Sequence, residues 1–271
     1  MKKLAVRVAL LALLLGAVVL LCSLSLRGTD AGNGEATGVV REFPGAASKA
    51  GPSAPSMDVL RAGDGVTLGK IAENPAGEGI TVTVTGENGA ETVYTFTDVA
   101  INSWYANAVN FVVSAGLMTG VGDQNIFRPE YGMQRESFAA ILYRYANGTQ
   151  AEPGRSFDDV TPDRWYYDAV NWAVSRRLMS GLTENSFGAG EYMTCEQALI
   201  CLYRLAGEPE TDGDLSHYPY EAKVPESSRS AVSWAWQNGL ITEVECVWYP
   251  TQAISRAQVA LLLTRYSAGS M

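Results

Sequence analysis

The stretch FTDVAINSWYANAVNFVVSAGLMTGVGDQNIFRP at 96–129 decides the fold, because most of its landmarks return 61 residues later. Phe96, Asp98 and Val99 return as Phe157, Asp159 and Val160, and Trp104 returns as Trp165. GLMTG at 116–120 matches RLMSG at 177–181, and GLITE at 239–243 lies a further 62 residues along. Further on, Phe127-Arg128-Pro129 aligns with Phe187-Gly188-Ala189 and Trp248-Tyr249-Pro250, and Tyr143-Arg144 with Tyr203-Arg204 and Thr264-Arg265. Self-similarity at a fixed period marks a repeat architecture. Three units are expected, at 96–152, 153–210 and 211–271.

Each unit reads as two amphipathic helices. In the first helix Tyr105, Ala108, Val109 and Val112 fall at i, i+3, i+4 and i+7, as do Tyr166, Ala169, Val170 and Ala173; Ala231, Val232 and Ala235 continue the pattern. The second helix repeats it with Phe138, Ile141, Leu142 and Tyr145, then Ala198, Cys201, Leu202 and Leu205, then Val259, Leu262, Leu263 and Tyr266. These stripes are core. Gly120, Gly122 and Pro129 let the chain turn between helices, and Thr194 with Gln197, like Ser255 with Gln258, has the spacing of a capping box. One helix pair cannot bury its apolar face alone, so the expected fold is mainly α, with three helix-loop-helix units packed about a shared axis in pseudo-threefold symmetry.

Working back towards the start, ITVTVTGENGAETVYTF at 80–96 alternates around Asn88-Gly89, a strong hairpin signal. An isolated hairpin is marginal, so the small β-rich segment 57–95 should pack on the helical units after it or on strands from residues 57–75. Residues 28–56, rich in Gly, Ala, Ser and Pro, have the composition of a disordered, flexible linker. Residues 1–27 join the basic residues Lys2, Lys3 and Arg7 to a 19-residue apolar run closed by Arg27, and read as a signal peptide or an N-terminal membrane anchor. Either predicts export, and the anchor would make the membrane a partner. Cys22 is read as an apolar residue of that run.

The 271 residues carry 20 Lys and Arg against 29 Asp and Glu. The first 27 hold four of the basic residues and no acid, which leaves 16 basic against 29 acidic beyond them. Nucleic-acid binding is therefore not expected, since that affinity comes largely from cations on phosphates. His217 is the single histidine, which removes two-histidine metal sites. No metal or cofactor is expected. Asp123-Gln124-Asn125 faintly resembles a calcium loop, but Gln134 stands where that loop needs its glutamate, so it is read as a turn. No nucleophile and base stand out, and Asp98 and Asp159 are equivalent repeat positions that more plausibly brace each unit than form a glycosidase pair. Of the thiols, Cys201 takes a core position, while Cys195 and Cys246 are read as exposed and form the one candidate bridge.

The ordered series of Phe-x-Asp-Val, a tryptophan at a helix start, Gly-Leu-hydrophobic-x-Gly, Phe-x-Pro and a second helix ending in Tyr-Arg resembles the S-layer homology domain in three copies, over about two thirds of the chain. The resemblance implies a non-catalytic module at the bacterial surface that binds a cell-wall polysaccharide, often one bearing pyruvate ketals. A pyruvylated sugar presents a carboxylate beside hydroxyls and calls for cationic donors, backbone N–H groups and an aromatic face. Gln134-Arg135 and Ser255-Arg256, with Gln258, place a guanidinium at a helix N-terminus and supply the first two. Trp104 and Trp165 are the candidates for the aromatic face, and Gly120 and Gly181 complete the ligand-binding set. Arg135 and Arg256 could instead form surface ion pairs. The second unit has Cys195 where the family has arginine, and the third reads HYPY at 217–220 in place of Phe-x-Asp-Val. A protein-interaction scaffold that keeps the fold with degenerate grooves is the alternative.

Overall fold

The computed structural model describes residues 66–122, 125–150 and 155–269. The anchor reading at 1–27, the linker at 28–56 and most of the calcium-loop resemblance fall outside these. Among the described residues, no helix is long and apolar enough to cross a membrane.

The hairpin forms as expected. Strands β2 (Ile80–Thr85) and β3 (Glu91–Phe96) pair antiparallel, and β1 (Lys70–Glu73) adds to β2 in the order β1-β2-β3. Gly89 turns between β2 and β3 at φ 77°, a conformation that suits glycine. Alternation buries Ile80 and Val82 in the same core as the helices.

Beyond the sheet, the described residues form six α-helices: α1 (Ala106–Ser114), α2 (Arg135–Tyr145), α3 (Tyr167–Ser175), α4 (Cys195–Leu205), α5 (Arg229–Gln237) and α6 (Arg256–Gly269), with two short 3-10 turns before α5. The apolar stripes read from the sequence are buried, with Phe138, Leu142, Val170, Leu202, Val232 and Leu262 fully enclosed. Each such Leu or Phe contributes about 1.5–3 kcal/mol by leaving water. Asn110 on α1 ties the sheet down, its Nδ2 donating to the Gly69 carbonyl at 3.0 Å, while Ser114 Oγ accepts from Gly69 N at 2.8 Å.

The pairing of helices differs from three independent hairpins. α2 packs against α3, α4 against α5, and α1 against α6, so each second helix meets the first helix of the next unit. The extended segments just before α2, α4 and α6 close the same cycle through backbone hydrogen bonds. Met133 N donates to Ile254 O at 2.8 Å, Ile254 N to Met193 O at 2.9 Å, and Met193 N to Met133 O at 2.9 Å. All three residues are buried, where an unpaired amide would cost about 1–3 kcal/mol.

Within a unit, an arginine near the end of the second helix reaches the leucine carbonyl after the first. Arg144, Arg204 and Arg265 donate in this way to Leu117 O, Leu178 O and Leu240 O at 3.0, 3.3 and 3.2 Å. Gly116 and Gly239 end the first and third first-helices at φ 66° and 67°, but Arg177 holds that left-handed place in the second at φ 58°. Arg177→Gly is therefore expected to raise the unfolding free energy by about 0.5–1 kcal/mol, read as a higher midpoint in urea.

Candidate functional site

Arg135 opens α2 and reaches into the second unit. Nε donates to Phe187 O at 3.0 Å and Nη2 to Ser180 O at 2.6 Å, and the guanidinium lies 4.8 Å from the centre of the Phe187 ring. The side chain is 5% exposed, and burial pulls its ionisation below the ordinary arginine value. Two of its five N–H groups are thus committed to carbonyls. It sits on a groove of about 160 Å3 between the first two units, shared with Ser180, Gly181, Leu182, Gln197 and Arg204. Two guanidiniums and a glycine backbone on one groove are donors of the kind a carboxylate accepts from.

The third unit repeats this geometry against the first. Arg256 Nε donates to Phe127 O at 2.8 Å and Nη2 to Thr119 O at 2.9 Å, with the guanidinium 4.8 Å from the Phe127 ring. Burial lowers its pKa to about 10, so it remains cationic at neutral pH. Arg256 therefore meets the turn that carries Gly120, just as Arg135 meets Gly181.

At the third junction the arginine position is Cys195, and another residue takes over its contact. Tyr218, 61 residues after Phe157, donates its phenol to Trp248 O, the carbonyl that corresponds to Phe127 O and Phe187 O. Burial raises the pKa of this phenol, so it stays protonated and a donor. Tyr218→Phe should lower stability by about 1–2 kcal/mol through that orphaned carbonyl, with a smaller loss when combined with Cys195→Arg, as calorimetric melting would show.

Asp98 and Asp159 brace the loops on which these arginines act. Asp98 accepts from Phe127 N and Arg128 N at 2.8 and 2.7 Å. Asp159 accepts from Phe187 N, Gly188 N and Ala189 N at 2.8, 2.7 and 2.8 Å, and from the Ser186 hydroxyl at 3.0 Å. Burial pushes the Asp159 carboxyl up, but these donors outweigh it and hold its pKa below the ordinary value.

The family model for the S-layer homology domain matches residues 95–139 and 156–199, the segments that carry Asp98, Arg135 and Asp159. The chain carries S-layer homology domains. The pair α5 and α6 lies outside both matched segments. A surface-layer 125 kDa protein of Lysinibacillus sphaericus is 30% identical over 172 residues, 61% of this chain and 14% of the relative. Endo-1,4-beta-xylanase A of Thermoanaerobacterium saccharolyticum is 27% identical over 92 residues, 34% of this chain and 8% of that enzyme. The chain thus spans a small fraction of either relative.

The repeat units use the other sequence candidates differently from the expectation. Backbone N–H groups at the second-helix starts bind the neighbouring unit instead of facing a ligand: Arg135 N donates to Glu191 O, Arg256 N to Tyr131 O and Ala257 N to Pro129 O, each at 2.9 Å. Ser255 and Gln258 form the expected capping box, as do Thr194 and Gln197. Gln134 precedes α2 without a side-chain cap, its Nε2 at 3.5 Å from Gly190 O. Trp165 is 66% exposed and packs edge-on against Tyr166, and Trp104 is half-buried against Tyr105; neither lines the groove at Arg135.

The thiol reading also needs correction. Cys195, Cys201 and Cys246 are free, and Cys195 is buried rather than exposed because it replaces an arginine that points between units. Burial raises the pKa of Cys201 to about 12 and of Cys246 to about 11, which leaves them protonated at neutral pH.

Proposed function

We propose that this chain is a non-catalytic protein of the bacterial cell surface that holds an anionic cell-wall polysaccharide, in particular a pyruvylated one, at the grooves marked by Arg135 and Arg256. The helix pair α5 and α6 acts as the third S-layer homology unit, in pseudo-threefold relation to the others. The carrying observation is that the same arrangement occurs twice: a guanidinium from one unit placed against the glycine-bearing turn of the next. Three N–H groups of each guanidinium remain beyond the two bonded to carbonyls, enough for a bidentate carboxylate contact. The cyclic hydrogen bonds of Met133, Met193 and Ile254 support the pseudo-threefold reading. An export segment at 1–27 fits this location, and as an anchor it would join membrane and wall.

The test is co-sedimentation of the full chain with purified cell walls, before and after chemical removal of the secondary polysaccharide. Binding that disappears with the polymer is the expected result. Retained binding to stripped walls would move the receptor elsewhere. No binding to either preparation would favour the interaction scaffold, a reading that the loss of arginine at Cys195 already supports for the third junction.

A further inference from the structure

The third unit holds a pocket whose lining differs from that of the groove at Arg135. Tyr218, Tyr220, Trp236 and Trp248 line a small open pocket of about 80 Å3, together with Glu243 and Cys246. No residue lining it is cationic, and Glu243 is exposed to solvent. Tyr220 stands 61 residues after Asp159, so an aromatic ring occupies the place of the bracing carboxylate. The rings fix one another: Tyr218 lies 5.3 Å from Trp236 and 5.9 Å from Tyr220, and Tyr220 lies 5.1 Å from Tyr249.

We propose that this pocket is a separate site for an uncharged pyranose of the wall polymer, which rests on the glycan-binding reading above. The weakly positive C–H face of a pyranose packs on the negative face of an aromatic ring, and a carboxylate accepts from its hydroxyls. Half-buried Tyr220 and Trp236 supply the rings, and Glu243 supplies the acceptor. The same carboxylate disfavours a pyruvylated residue, because the Arg265 guanidinium that reaches Thr242 on the pocket wall at 3.3 Å is already paired with Glu245 at 2.6 Å. The three junctions therefore divide one polymer by charge: two take acidic residues and one takes a neutral residue.

The experiment titrates the full chain, by calorimetry, with intact wall polysaccharide and with polysaccharide stripped of pyruvate by mild acid. The expected result is residual binding of the stripped polymer that falls at least tenfold in Tyr220→Ala and about threefold in Glu243→Ala. Glu243 is a surface residue, so its variant reports binding even where Tyr220→Ala impairs folding. Failure of the stripped polymer to bind, or binding unaltered in both variants, overturns the proposal. Failure of the intact polymer overturns instead the reading on which it rests.

Discussion

Arg135→Ala is expected to lower affinity for a carboxylated wall polysaccharide about 30- to 300-fold and unfolding free energy by about 2–4 kcal/mol. The two losses have separate origins in one side chain. Stability falls because Phe187 O and Ser180 O lose charge-assisted donors at a buried seam, each bond contributing about 1.5–3 kcal/mol before relaxation. Affinity falls because, in the proposed function, the guanidinium is the anion's main counter-charge in its groove, and a factor of ten corresponds to about 1.4 kcal/mol. Arg135→Lys should lose most of the affinity as well, since an ammonium cannot hold a carbonyl pair and a carboxylate with one planar fork. Affinity measured well below the melting temperature separates the effects: unchanged binding in a folded but less stable variant would assign Arg135 to architecture alone.

Asp159→Asn should cost about 2–4 kcal/mol, because one carboxylate serves three backbone amides and a hydroxyl, and an amide nitrogen would confront donors with a donor. The sign of the shift sets the pH dependence. The folded pKa lies below the unfolded value of about 3.9, so the contribution is present above pH 4 and is lost as pH falls through the folded value. Urea melts at pH 7 and at pH 3 should therefore show a large gap between wild type and variant that narrows in acid. An equal gap at both pH values would remove the carboxylate's charge from the explanation.

The helix stripes, the hairpin at Asn88-Gly89 and both capping boxes are legible in the sequence because each is encoded within a few residues, and the repeats because the same landmarks recur about 61 residues apart. Periodicity names the apolar face of α2 but not the helix it meets, which is why the pairing of α2 with α3 is not visible there. The same limit applies to Arg135. Its charge and position at a helix start suggest an open anion site, whereas its partners Phe187 O and Ser180 O lie about 50 residues away and offer no side-chain signal. Asp98 and Asp159 are recognisable as braces because repetition makes two identical catalytic roles implausible. Tyr218 shows in the sequence only as a departure from the repeat pattern; its role emerges when Cys195 and Trp248 O are brought to one junction.

The contact of α1 with α6 has a bearing on how such a chain can evolve. An open stack of repeats tolerates duplication, since a new copy docks on an exposed end. Here α6 already occupies the face of α1 that an inserted copy would need, and the Met133, Met193 and Ile254 amides are all taken. Changing the chemistry of an individual junction disturbs this cycle less than inserting a copy into it. The exchange of arginine for Cys195, with Tyr218 in support, is variation of that kind.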